Sequence, residues 1–184
     1  MNIKSILANT GLTMLAVSAS ALALGATKHE INERVSSTLA QFDSFNNANK
    51  TLSDKAAGIL VFPRVTKGGV GVGGEFGEGA LQVNGKTVGY YSVGSASVGL
   101  TLGLAKHSEI IMFMTQNSLD KFTAAQGWSI GADAGITVVS GGVDGTLNTE
   151  TDRKPILGFV FAEKGLIGDL SLEGSKITQI KTGG

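Results

Sequence analysis

The chain contains no cysteine. That absence excludes disulfides, thiolate metal sites, a cysteine nucleophile and a lipid-modified N-terminal cysteine. The fold therefore rests on its apolar core. Proline is almost as scarce, with two residues, and the glycines follow no three-residue period, so a collagen-like chain is excluded. Only two histidines occur, His29 and His107. An excess of charge is missing too: 15 basic and 15 acidic residues cancel, and no concentrated basic face for nucleic acid is expected. Beyond residue 26 no segment is long and apolar enough to span a bilayer as a helix.

What the chain does have is glycine. Residues 58–174 hold 23 of the 27, and seven fall between Gly68 and Gly79. Glycine loses more conformational freedom on folding than any other residue, so this region is a poor helix former. Interspersed with short apolar runs, it reads as a sheet in which glycine serves bulges, tight turns and close backbone approaches. At 184 residues, with 42% hydrophobic and 16% charged side chains, one folded domain with a substantial core is expected.

The first 26 residues read as a secretory leader. Lys4 supplies the positive region, Met14 to Leu24 the apolar and small-residue stretch, and cleavage is expected after Ala23 or Ala26. Residues 27–52 form a second unit and 53–184 the main domain. From Thr27, Ile31, Val35, Leu39 and Phe42 recur at helical spacing and Phe45 continues the stripe, which predicts an amphipathic helix ended by Asn46, Asn47 and Asn49. That helix either packs its stripe on the sheet or lays it on a membrane surface, where lysine and arginine usually line the polar face. Here Glu30 and Glu33 mix with Lys28 and Arg34, which favours packing. One short helical turn is expected at Ser53–Ala57.

Ile59–Phe62 predicts a buried strand stopped by Pro63, and Asn84-Gly85 a type I′ hairpin turn between Ala80–Val83 and Lys86–Val88. Further strands are expected at Val98–Leu104, Ile110–Met114, Trp128–Val138, Ile156–Phe161, Leu166–Leu172 and Ser175–Ile180. A helix is expected at Ser118–Ala125, opened by Asn117 or Ser118 and closed by Gly127. The fold class that results is a single α+β domain. Its mostly antiparallel, curved or barrel-like sheet carries an N-terminal amphipathic helix and one inserted helix.

Catalytic chemistry finds few residues to use. Ala80 to Thr87 matches a loosened phosphate-loop string, but strand formers follow it, so no nucleotide is expected. Gly69-Val-Gly71-Val-Gly73-Gly74 matches a dinucleotide fingerprint without the helix that would bind pyrophosphate. Ser97 lacks the first glycine of a nucleophile elbow. His107, in Lys106-His107-Ser108-Glu109, reads as an exposed turn histidine. Glu75, Glu78, Asp133, Asp144, Asp152, Asp169 and Glu173 are spread singly and read as mostly solvated. The expectation is a non-enzyme without metal or cofactor.

One ordered set of motifs is specific. Ala57-Gly-Ile-Leu-Val-Phe-Pro63-Arg-Val-Thr-Lys67-Gly-Gly69 leads into Gly73-Gly-Glu-Phe-Gly-Glu-Gly-Ala-Leu81. Ser108-Glu-Ile-Ile-Met-Phe-Met114 and Leu119-Asp-Lys-Phe122 follow, and the set closes on Lys164-Gly-Leu-Ile-Gly-Asp-Leu-Ser-Leu-Glu-Gly174. Over Ser53 to Ile180 the chain resembles the SYLF domain, a lipid-binding module also described as actin-binding in yeast cortical proteins. The resemblance implies binding rather than catalysis, partly through an amphipathic N-terminal segment. It raises the membrane reading of Ile31, Val35, Leu39 and Phe42, and makes Lys67 and Lys164 candidate lipid head-group contacts. An exported chain would meet neither cytoplasmic actin nor phosphoinositides, so the expected partner is an envelope lipid or membrane surface. The alternatives are an envelope protein-interaction scaffold and a small outer-membrane β-barrel.

Overall fold

The computed structural model describes residues 26–70, 72–98, 105–125, 127–133, 135–139, 153–162, 165–166 and 172–182. The expected leader, apart from Ala26, lies outside the described residues, as do most of the strand predicted at Val98–Leu104 and most of that predicted at Leu166–Leu172.

Two helices open the described chain, α1 (Lys28–Phe45) and α2 (Asn47–Lys55). Thr27 caps α1: its hydroxyl accepts from the Glu30 N–H at 3.3 Å while the Glu30 carboxylate accepts from the Thr27 N–H at 2.9 Å. The reciprocal pair satisfies two N–H groups that have no partner inside the helix. The Thr27 N–H foremost, and then the Thr27 hydroxyl, which donates to the same carboxylate at 3.0 Å, hold the Glu30 pKa below its usual value. Asn46 ends α1 in an extended conformation, and its side chain accepts from the Asn49 N–H at 2.7 Å, so it also starts α2. The short turn expected at Ser53–Ala57 is thus the end of a longer helix.

The strands are β1 (Gly58–Val70), β2 (Val72–Val83), β3 (Lys86–Val98), β4 (Ala105–Phe113), β5 (Gly127–Ser129), β6 (Thr137–Val138), β7 (Ile156–Ala162), β8 (Gly165–Leu166) and β9 (Lys176–Gln179). Helix α3 (Gln116–Ala124) follows β4, with Thr115 rather than Asn117 or Ser118 as its cap and Ala125 rather than Gly127 closing it. The order across the sheet is β5-β9-β3-β2-β1-β4-β7-β6, with β8 paired to β7. All pairings are antiparallel except β6 with β7. This is the expected single α+β domain with a mostly antiparallel, curved sheet. Among the described residues, the predicted strand Trp128–Val138 is two short pieces, β5 and β6.

Pro63 does not stop β1. The strand passes through it at a bulge between Val61 and Arg64, where the pairing registers with both β2 and β4 shift. A bulge tolerates a residue with no N–H to donate. The same extra residue lets Phe62 and Val65 face one side together. At Asn84-Gly85 both residues take positive φ, 51° and 73°, the type I′ geometry that matches strand twist.

Alternation along the strands builds two cores. Leu60, Phe62, Leu81, Tyr91, Ile111, Phe113 and Val160 face inward with Leu119 and Phe122 of α3 and with Trp128. Ile59, Val61, Ala80, Ile110, Met112, Leu157, Phe159 and Phe161 face the other way and meet Ile31, Val35, Phe42 and Leu52 of the first two helices. Five inter-strand steps separate β5 from β4, about 24 Å if the sheet were flat. Yet the Trp128 and Phe113 ring centroids are 6.0 Å apart, so the sheet curls around α3. Phe122 fills the curl, stacked on Phe113 at 4.8 Å and edge-on to Trp128 at 5.3 Å.

Candidate functional site

Two features of the sheet carry polar chemistry. The first lies on the outer side, along α1. A cleft of about 170 Å³ is lined by Ala26, Ile31, Arg34, Pro63, Arg64 and Phe76, among others. A neighbouring groove shares Arg34, Pro63 and Arg64 and adds Ser37 and Thr38. Its ends are fixed from the sequence upward. Arg34 sits one residue before Val35, so burying the stripe leaves its guanidinium outside. Arg64 is turned outward by the bulge after Val61. Phe76, on β2, is 58% exposed, an unusual position for a large ring. Acidic groups are present too: Glu30 is 4.0 Å from Arg34, and Glu78 accepts from the Ala26 N–H at 3.0 Å.

The second feature lies on the inner face, beyond the end of the aromatic core. Lys67 and Glu75 are cross-strand partners on β1 and β2, joined at 2.7 Å. On β4, His107 Nε2 is 3.0 Å from Glu109 Oε1. His107 is 6% exposed and Glu109 1% exposed. This corrects the expectation of an exposed turn histidine: β4 starts at Ala105, and His107 lies on its buried face. Glu75 is likewise mostly buried rather than solvated.

The residues singled out from the sequence divide between these regions. Ile31, Val35 and Phe42 are buried against the sheet and Leu39 is partly buried beside them. Lys67 is 27% exposed and engaged with Glu75. Lys164 lies outside the described residues. The structure does not bring Lys67 together with the α1 stripe, since the stripe packs on the outer face and Lys67 shares the inner one with Val65. Arg34, Arg64 and Phe76 were not singled out; an aromatic ring within a glycine-rich strand beside two arginines was the available signal. The phosphate-loop string forms the β2–β3 hairpin, with no helix behind it.

Fold and site together define a class: an α+β domain whose curled sheet encloses one helix and carries two more on its outside. Residues 94–182 match the family model described as Ysc84, Las17-binding protein actin regulator. That match agrees with the SYLF resemblance of the sequence motifs and spans 89 of the 184 residues, just under half of the chain. No match is found among curated proteins. Among the described residues no helix is long and apolar enough to cross a membrane.

Proposed function

We propose that this protein is an exported, non-catalytic module of the bacterial cell envelope that binds lipid at a membrane surface through the outer side of α1. The carrying observation is the exposed Phe76 ring lining one cleft with Arg34 and Arg64. Fully burying a phenylalanine side chain yields about 1.5–3 kcal/mol, and with 58% of Phe76 exposed more than half of that burial is left unused by folding. Guanidinium groups are suited to phosphate oxygens, which they can bind in pairs of parallel hydrogen bonds. A ring among acyl chains with two arginines at head-group level is the arrangement expected of a peripheral contact. The SYLF match supports a binding role, and the leader supports export. Lys164 and Lys67 would add head-group contacts; Lys67 would have to leave Glu75 to do so. Ile31, Val35, Leu39 and Phe42 could reach lipid only if α1 lifted from the sheet.

A protein-interaction scaffold is the second reading, favoured by the partner named in the family description. The small outer-membrane barrel is disfavoured, because α1 and α2 pack over the face that would have to meet lipid.

Flotation of the mature protein with vesicles of anionic or zwitterionic lipid tests the proposal. Retention on anionic vesicles is expected, with a several-fold loss in Phe76→Ser and in the double variant Arg34→Gln, Arg64→Gln. Absence of retention on every composition counts against lipid and for the scaffold.

A further inference from the structure

We propose that Glu75, His107 and Glu109 form a site for a divalent first-row metal ion on the inner face of the sheet, where β2 and β4 flank β1. A carboxylate oxygen from each glutamate and a ring nitrogen of His107 all lie within 4.8 Å of one another. The second observation is independent of that clustering. Glu109 is 1% exposed, and its Oε2 has no hydrogen-bond partner among the described residues. A buried acceptor left unmatched is costly, and a buried carboxylate more so.

Charge counting leads to the same place. Among the described residues, two carboxylates face one ammonium, that of Lys67, and Lys67 is engaged with Glu75. Among the described residues, the Glu109 carboxylate has only the imidazole of His107 against it. A metal ion between these groups would satisfy Oε2 and neutralise the second carboxylate together.

The donor set indicates the kind of ion. One imidazole nitrogen with carboxylate oxygens, and no sulfur, suits zinc, cobalt or nickel rather than magnesium or calcium, which take oxygen ligands. Zinc ligands at about 2.0–2.2 Å in a tetrahedron stand about 3.4 Å apart. Closing the present spacing, within 4.8 Å, to that value calls for rotation of the side chains. The strand geometry already fixes what rotation cannot. His107 and Glu109 are two residues apart on one face of β4, and Glu75 comes from β2 on the other side of β1. Three protein ligands leave a fourth position for water. Lys67, partly open to solvent, is the built-in competitor for Glu75.

The test is titration of the chelator-stripped mature protein with Co²⁺ and Zn²⁺, read by calorimetry and by the visible absorption of bound Co²⁺. One ion per chain is expected. His107→Gln and Glu109→Gln are each expected to weaken binding about 100-fold or more, since even residues that only orient a metal ligand are worth about 10–100-fold. Lys67→Met should tighten binding by freeing Glu75. His29→Gln should leave it unchanged, although His29 and Glu33 form an exposed pair at 3.2 Å. Circular dichroism checks folding. If Glu109→Gln fails to fold, Glu75→Gln and Lys67→Met decide, with opposite expected shifts. Binding that persists in His107→Gln, disappears in His29→Gln, or ignores both Glu75→Gln and Lys67→Met overturns the proposal. So does the absence of stoichiometric binding.

Discussion

Replacing Phe42 by alanine separates the two roles available to α1. Phe42 is fully buried, 4.8 Å from the Phe159 ring centroid in an edge-on contact and 6.0 Å from that of Phe161. Truncating a buried phenylalanine typically costs about 3–5 kcal/mol, because the lost transfer energy is joined by the cavity left behind. The site has little freedom to collapse: Asn49 donates to the Phe42 carbonyl at 3.0 Å and pins α2 to the end of α1. At about 2–4 °C per kcal/mol for a domain of this size, the melting midpoint should fall by about 6–20 °C. Urea unfolding followed by circular dichroism, with differential scanning calorimetry, measures both quantities. Vesicle flotation of the same variant, below its midpoint, completes the comparison. If Phe42→Ala keeps its midpoint but loses the vesicles, the stripe belongs to the membrane and the packing argument fails. Phe76→Ser should behave in the opposite way, losing vesicles at unchanged stability.

Two further predictions concern the sheet and its helix. A Cβ at Gly79 would overlap the Val61 carbonyl oxygen and lie 2.8 Å from a Phe62 ring carbon. Overpacking usually costs about 1–3 kcal/mol, and backbone cannot yield as a side chain does, so Gly79→Ala should cost about 3 kcal/mol or more. Gly85→Ala has nothing within 4 Å and should cost only the positive-φ penalty, about 1–2 kcal/mol; equal urea midpoints for the two variants would contradict the close-approach argument. The capping box predicts an acid limb. The folded-state Glu30 pKa is lowered by the bonds from Thr27, so its stabilisation is present above the ordinary carboxylate range. It disappears as pH falls through the lowered value. Glu30→Gln should therefore be less stable than the parent at neutral pH, and the gap should close on acidification; a gap that widens would reverse the assignment.

The helix stripe, the Asn-Gly hairpin and the two-sided run Ile110–Met114 were legible because each obeys a local rule: helical spacing, turn chemistry, apolar continuity. Pro63 was misread for a physical reason. Its missing N–H forbids regular pairing but not a bulge, and bulges leave no mark in hydrophobic patterning. The inner-face cluster was hidden for a related reason. In Lys106-His107-Ser108-Glu109 the residues turned inward are the polar ones. A search for apolar residues therefore starts the strand at Ile110, five residues after Ala105. Glu75 looked solitary because its neighbours come from β1 and β4, which only the sheet order brings to its side. Arg64 and Phe76 were readable as residue types, whereas their meeting beside α1 required the register of β1 on β2.

The chain's single tryptophan occupies the seam of the curl. Trp128 is 5% exposed, edge-on to Phe122 and 6.0 Å from the Phe113 ring across the curl, so its fluorescence monitors whether β5 stays folded toward β4. Lipid or metal that splays the half-cylinder would redden the emission, while motion confined to the outer helices would leave the indole dark to the event. One native fluorophore thus distinguishes opening of the shell from rearrangement on its exterior.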